Sequence, residues 1–175
     1  MIGFYRIKYY ELLNSGEKNM KYEEILDALG PCGLNCKKCV FYSKGEIREH
    51  SMKLKELFGS FDNYAKRFSK LIDPIFKNYP KFKELLEYLI HADCKGCRKQ
   101  KCAIYPDCGV VDCYKKKGVD FCFQCDEFPC EKTNFDSDLK RRWILMNNRA
   151  KEIGIDDYYN ESMKYPRYRS KVGPE

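Results

Sequence analysis

Histidine is scarce in this chain: His50 and His91 are its only two. No HExxH helix can be built from them, and neither a serine–histidine–acid set nor a glycine-rich phosphate loop appears elsewhere, so hydrolase and nucleotide-enzyme readings have no support. Long apolar runs are missing as well. No stretch reaches the roughly eighteen residues that a membrane-spanning helix needs, which excludes a membrane as partner. The opening residues MIGFYRIKYYELL carry Arg6 and Lys8 where a signal peptide needs an unbroken apolar core. The expectation is therefore a cytoplasmic protein. The alternation of strand and helix patterns that a barrel requires is absent too.

Cysteine, by contrast, is abundant: eleven in 175 residues. An odd count works against a complete disulfide framework, and in a reducing compartment closely spaced thiols mean metal more often than cross-links. All but three lie between Cys94 and Cys130, in C-x2-C-x4-C at either end and C-x4-C between. A C-x2-C pair bends the backbone into a knuckle whose two sulfurs can share one metal, and two knuckles complete a tetrahedron. Cys94 and Cys97 with Cys122 and Cys125 therefore have the pattern of a four-thiolate zinc site.

A second group, Cys32, Cys36 and Cys39, sits in PCGLNCKKCVFY. Three thiolates so close in sequence can converge on one centre, with Gly33 allowing the tight turn and backbone N–H groups donating to sulfur. This C-x3-C-x2-C spacing also resembles that of radical S-adenosylmethionine enzymes, in which three cysteines hold a four-iron cluster. Lys38, however, stands where those enzymes usually carry an aromatic residue, and the chain lacks their barrel pattern. The triplet needs a remote fourth partner. Cys102, Cys108, Cys113 or Cys130 would close the site; His50 or His91 is the imidazole alternative, and an open position would make the loop an active site. The closed arrangement is expected, because few acid–base residues flank the loop.

The fold class expected is mainly α: one small helical domain over residues 1–175, wrapped around a cysteine-rich, metal-stabilised loop module. Its parts are an N-terminal arm (1–31), the three-cysteine loop (32–43), a helical region (44–92), the cysteine-rich module (93–132) and a C-terminal helix and tail (133–175). Within the arm, Ile2, Phe4, Ile7 and Tyr9 suit an edge strand or a segment lying on the core, and residues 20–29 read as a short helix or an extended entry, stopped at Gly30-Pro31. In the helical region the stripes are Ile47, Ser51, Leu54, Phe58, then Phe61, Ala65, Phe68, Ile72, then Phe82, Leu85, Leu86, Leu89 behind Pro80. His50 reads as a partly buried core histidine beside the first stripe, and His91 as a helix-end residue. Two turns of helix are expected over Val110–Lys117, ended by Gly118, and a helical turn beginning or bordering Cys130 after Pro129. Asp120, Asp126 and Glu127 read as turn-capping and solvating residues. The best helix starts at a cap on Asp136 or Ser137 and buries Leu139, Trp143, Met146, Ala150 and Ile153 before Gly154.

The net charge is +7, and Lys and Arg between Lys37 and Lys101 account for the whole excess. Lys37, Lys38, Lys95, Arg98, Lys99 and Lys101 are placed to offset a dianionic thiolate centre. The tail after Gly154 shows no apolar period. Its KYPRYRSK interleaves aromatic and basic residues, as single-stranded nucleic-acid binders do, but a tail lying across the helical surface with half-buried tyrosines is the favoured reading.

Taken together, PCGLNCKKC, CKGC, the C-x4-C and KGVDFCFQCDEFPCEK resemble a cysteine-rich family of archaeal and bacterial proteins known as a domain of unknown function. The likeness runs from Cys32 to Lys132. It implies that Cys32, Cys36, Cys39, Cys94, Cys97, Cys108, Cys113, Cys122, Cys125 and Cys130 are the shared positions; these are the expected metal ligands, with Cys102 an addition outside the pattern. It implies no reaction. The expected function is a metal-binding protein with cysteine-ligated zinc, mainly structural, serving as an accessory or partner-binding protein. Knuckles such as CKGC favour zinc. The alternative is an iron–sulfur protein, for electron transfer or for chemistry at a 4Fe-4S cluster on Cys32, Cys36 and Cys39. The triplet and the thiol count favour it, and the absent ferredoxin run counts against it.

Overall fold

The structure, a computed structural model, describes residues 22–168; the strand or arm expected at residues 1–19 lies outside them. Seven α-helices make up the described chain: α1 (Tyr22–Ala28), α2 (Glu46–Phe58), α3 (Asp62–Leu71), α4 (Tyr79–Ile90), α5 (Val110–Lys117), α6 (Ser137–Ile153) and α7 (Ile155–Lys164). Short 3-10 turns cover Pro74–Asn78 and Cys122–Gln124. Among the described residues there is no sheet, only two isolated bridges, Leu29–Asn35 and Tyr42–Cys94.

The central element is α6, as the sequence periodicity predicts. The Asp136 carboxylate caps it, accepting from the N–H groups of Asp138 and Leu139 at 3.0 and 2.9 Å; such a cap contributes about 1 kcal/mol. Leu139, Trp143, Met146 and Ala150 are buried on one face. Met146 and Ala150 share one core with Ile25 and Ala28 of α1 and Leu29 just beyond it, together with Phe121, Tyr158 and Tyr159. Those two tyrosines belong to α7, where the sequence showed no apolar period and no helix was expected. Ile155 and Met163 pack against the same core, and with Tyr158 and Tyr159 they do fall at helical spacing; the stripe is short and hidden among Asp156, Asp157, Glu161 and Lys164. The helix also draws on Asp156 and Asp157 in its first turn and Lys164 in its last, which complement its dipole.

The helical region forms a separate lobe. Pro80 stands in the first turn of α4, and Asp73 caps the preceding 3-10 turn by accepting from Ile75 N–H at 2.7 Å. Phe61 lies at the hub, its ring centroid 5.0 Å from Tyr79, 5.3 Å from Phe58 and 5.7 Å from Phe68. Only part of each expected stripe is buried: Ser51, Ala65 and Leu86 are inside, while Ile72 and Leu85 are 66% and 58% exposed. Among the described residues the helices of this lobe pack chiefly on one another, which leaves these outer flanks uncovered there. His50 is exposed rather than half-buried. His91 stands at the end of α4, as expected, with its side chain in solvent and Nε2 3.9 Å from Glu87.

Candidate metal centres

The three-cysteine loop leaves α1 through a tight reversal. Cys36 N–H donates to Ala28 C=O at 2.7 Å and Gly30 N–H to Leu34 C=O at 2.9 Å. At Gly33 φ is +84°, a region that favours glycine, and its carbonyl accepts from the Tyr158 hydroxyl at 2.8 Å. Next comes the C-x2-C turn itself, closed by Cys39 N–H to Cys36 C=O at 2.9 Å. The loop is pinned from behind by Asn147, 1% exposed, whose Nδ2 donates to Cys32 C=O at 2.9 Å.

The helical lobe leaves this loop at Gly45 and returns to it at Cys94. Cys94 N–H donates to Phe41 C=O and Ser43 N–H to Cys94 C=O, both at 2.9 Å, so the Tyr42–Cys94 bridge sets the first knuckle against the triplet. The other knuckle is placed differently. Cys122 N–H donates to Pro31 C=O at 2.9 Å, and Cys125 N–H closes the turn on Cys122 C=O at 3.1 Å. Opposite it, α5 carries Cys113. Its preceding Gly109 donates to Thr133 C=O at 3.2 Å and lies so close to the next segment that a Cβ there would stand 1.9 Å from Lys132 O.

These connections divide all eleven cysteines, free of disulfides, between two adjoining sulfur-lined cavities. Cys32, Cys36, Cys39, Cys94, Cys97, Cys102 and Cys108 line one, of about 40 Å³. Cys113, Cys122, Cys125 and Cys130 line the other, of about 20 Å³, against Phe128 and Trp143. The expected union of Cys94 and Cys97 with Cys122 and Cys125 is therefore replaced by two different groupings: each knuckle faces its own cavity. Cys102, set apart as an addition, lies on the wall of the seven-cysteine cavity. Of the four candidate fourth partners of the triplet, Cys102 and Cys108 share its cavity, while Cys113 and Cys130 do not. Neither histidine lines either one. No helical turn borders Cys130; it sits in irregular chain, and α6 begins only at Ser137. The sulfurs share walls without converging on a point: among the described residues no three Cys, His, Asp or Glu side chains stand in ligating geometry.

Burial dominates the electrostatics. It pushes the Cys36 thiol up to about 11 and Cys122 up to about 12, and drives Cys32 higher still. Cys102 runs the other way, its thiol held below the ordinary range chiefly by its interaction with the neighbouring Cys97. The Trp143 indole N–H is buried at the four-cysteine cavity and has no partner in hydrogen-bonding geometry; Cys122 is the sulfur whose ionised form it favours.

Three of the six expected neutralising cations, Lys38, Arg98 and Lys99, are engaged elsewhere. Arg98 donates to Leu26 C=O at 3.0 Å and Asp120 C=O at 2.7 Å, with its guanidinium 4.9 Å from the Phe121 ring centre. Lys99 pairs with Asp27 at 2.8 Å, and Lys38 donates to Tyr165 C=O at 3.0 Å. Glu127 is held by Lys117 and Lys132, both at 2.6 Å, as a surface ion-pair bridge. The cation on the wall of the seven-cysteine cavity is Arg167, which sequence reasoning placed in the tail. The basic–aromatic run KYPRYRSK was its only signal, and nothing local tied that run to the cysteines.

A helical protein whose cysteine-bearing loops gather into sulfur-lined cavities belongs, by its architecture, with the small cysteine-rich domains. Over residues 28–135, well over half of the chain, it matches the family described as "Protein of unknown function (DUF3795)", and it belongs to that family. No curated protein and no solved structure matches it.

Proposed function

We propose that this is a metal-binding protein in which cysteine-ligated zinc holds the loop module together. The observation that carries the reading is the four-cysteine cavity. Cys113, Cys122, Cys125 and Cys130 supply the full ligand set of a structural zinc. A space of about 20 Å³ fits one small occupant. The Trp143 N–H, without an acceptor among neutral thiols, would donate to a metal-bound thiolate of Cys122.

The seven-cysteine cavity supplies a second centre, with Cys32, Cys36 and Cys39 as its core ligands and Cys94, Cys97, Cys102 or Cys108 to close it. Here a second reading has support: seven thiols around about 40 Å³ exceed the needs of a single tetrahedral ion, so an iron–sulfur cluster is the alternative occupant of this cavity. In either case the metals replace the large hydrophobic core that the module lacks, and the role fits an accessory protein. The exposed apolar side chains of the helical lobe, among them Leu57, Leu71 and Ile75, are the surface such a role would use. Oxygen-free purification followed by metal and sulfide analysis and a visible spectrum tests both readings. Colourless protein with about two zinc ions supports the first; brown protein with stoichiometric iron and sulfide supports the second, and protein with neither metal nor sulfide sinks both.

A further inference from the structure

The chain from the last turn of α7 onward lies beyond the family match, yet it closes directly on the three-cysteine loop. Asn35 Nδ2 donates to Ser162 Oγ at 2.9 Å, and Lys38 Nζ reaches the carbonyls of Met163 and Tyr165. Arg167 Nη1 then donates to Asn35 C=O at 2.7 Å, which sets its guanidinium on the cavity wall with Cys32, Cys36 and Cys39. One residue on, the Tyr168 hydroxyl accepts from Val40 N–H at 3.1 Å and donates to Cys39 Sγ at 3.7 Å. Arg142, from α6, holds the Arg167 carbonyl. A half-buried guanidinium facing sulfurs has little to gain beside neutral thiols. Beside a polythiolate metal centre it offsets anionic charge, and a hydroxyl on a ligating sulfur tunes and orients it.

We propose that Arg167 and Tyr168 are positioning residues of the seven-cysteine centre, Arg167 as its counter-ion and Tyr168 as a hydrogen-bond donor to Cys39, so that this tail strap completes a metal site the family-matched region only begins. This rests on the reading of that cavity as a metal site. The test uses the full chain loaded with Co(II), whose sulfur-to-metal absorption reports the thiolate donors, and follows release to a chelator. Trp143 packs with Cys32 as well as Cys122, so a Cys125→Ser, Cys130→Ser background, which removes two ligands from the four-cysteine cavity, isolates the larger one. In that background Tyr168→Phe and Arg167→Gln should shift the absorption and speed release by about 10-fold; Arg167→Lys should recover part of the loss. Unchanged absorption and unchanged release in both variants overturn the proposal. Should Arg167→Gln fail to fold by circular dichroism, Tyr168→Phe, which deletes one hydroxyl, decides alone. A Cys125→Ser, Cys130→Ser chain that takes up no Co(II) overturns the metal reading of the larger cavity and the proposal with it, a failure visible before either tail residue is substituted.

Discussion

Replacing Asn147 by alanine should destabilise the protein by about 3–5 kcal/mol. Its Nδ2 donates to the carbonyls of Cys32 and Trp143, both at 2.9 Å, and its Oδ1 accepts from Phe123 N–H at 3.1 Å. One side chain on α6 thereby grips the three-cysteine loop and the turn between Cys122 and Cys125. Alanine removes all three bonds, but the Trp143 carbonyl keeps its partner in the helical ladder. The Cys32 carbonyl is left in a dry interior, at about 1–3 kcal/mol, and the half-buried Phe123 N–H adds about 1 kcal/mol. The vacated volume contributes about 1 kcal/mol more. For a chain of this length the thermal midpoint should fall by roughly 10 °C. Denaturant titration of wild type, Asn147→Ala and Asn147→Leu checks the assignment, since leucine refills the volume and should recover only the cavity part. A loss below about 1 kcal/mol in the alanine variant would refute the view that Asn147 pins the two sulfur-bearing segments together.

Gly109→Ala should cost about 3 kcal/mol or more, because its Cβ would sit 1.9 Å from Lys132 O; a variant with wild-type melting and metal content contradicts that packing. Trp143, the chain's single tryptophan, should change its emission when Zn(II) or Co(II) enters the four-cysteine cavity, and Cys130→Ser should abolish the change; a signal that survives the substitution places the metal elsewhere. Stripping metal with a strong chelator should expose residues 94–130 to protease while α2–α4 persist, and an unchanged digestion pattern rejects the structural role. The metal-free protein should lose stability as pH rises above about 9. Burial raises the thiols of Cys32, Cys36 and Cys122, so the folded state retains protons that the unfolded chain releases, and the slope of stability with pH is negative there. Urea midpoints that stay level from about pH 8 to about pH 10 would contradict it.

What the sequence determined by itself is the part governed by neighbours in the chain. The helix over Val110–Lys117 and its end at Gly118, the Asp136 cap and the buried stripe of α6 follow from periods and caps within a few residues of each other. The same holds for the tight turns that set Cys36 beside Cys39 and Cys122 beside Cys125, because a C-x2-C turn is closed by its own backbone. Which knuckle meets which cysteines is not local, and only the tertiary structure decided it. The Tyr42–Cys94 bridge crosses the whole helical lobe to bring Cys94 to the triplet, and the bond from Cys122 N–H to Pro31 C=O leaves the second knuckle to Cys113 and Cys130. Spacing alone made the two knuckles look like partners because every C-x2-C presents the same pair of sulfurs, whatever lies across from it. The tail was illegible for a related reason. The Tyr158 hydroxyl reaches Gly33 C=O and Arg167 finds the sulfur cavity through contacts more than a hundred residues away in sequence, which no local pattern registers.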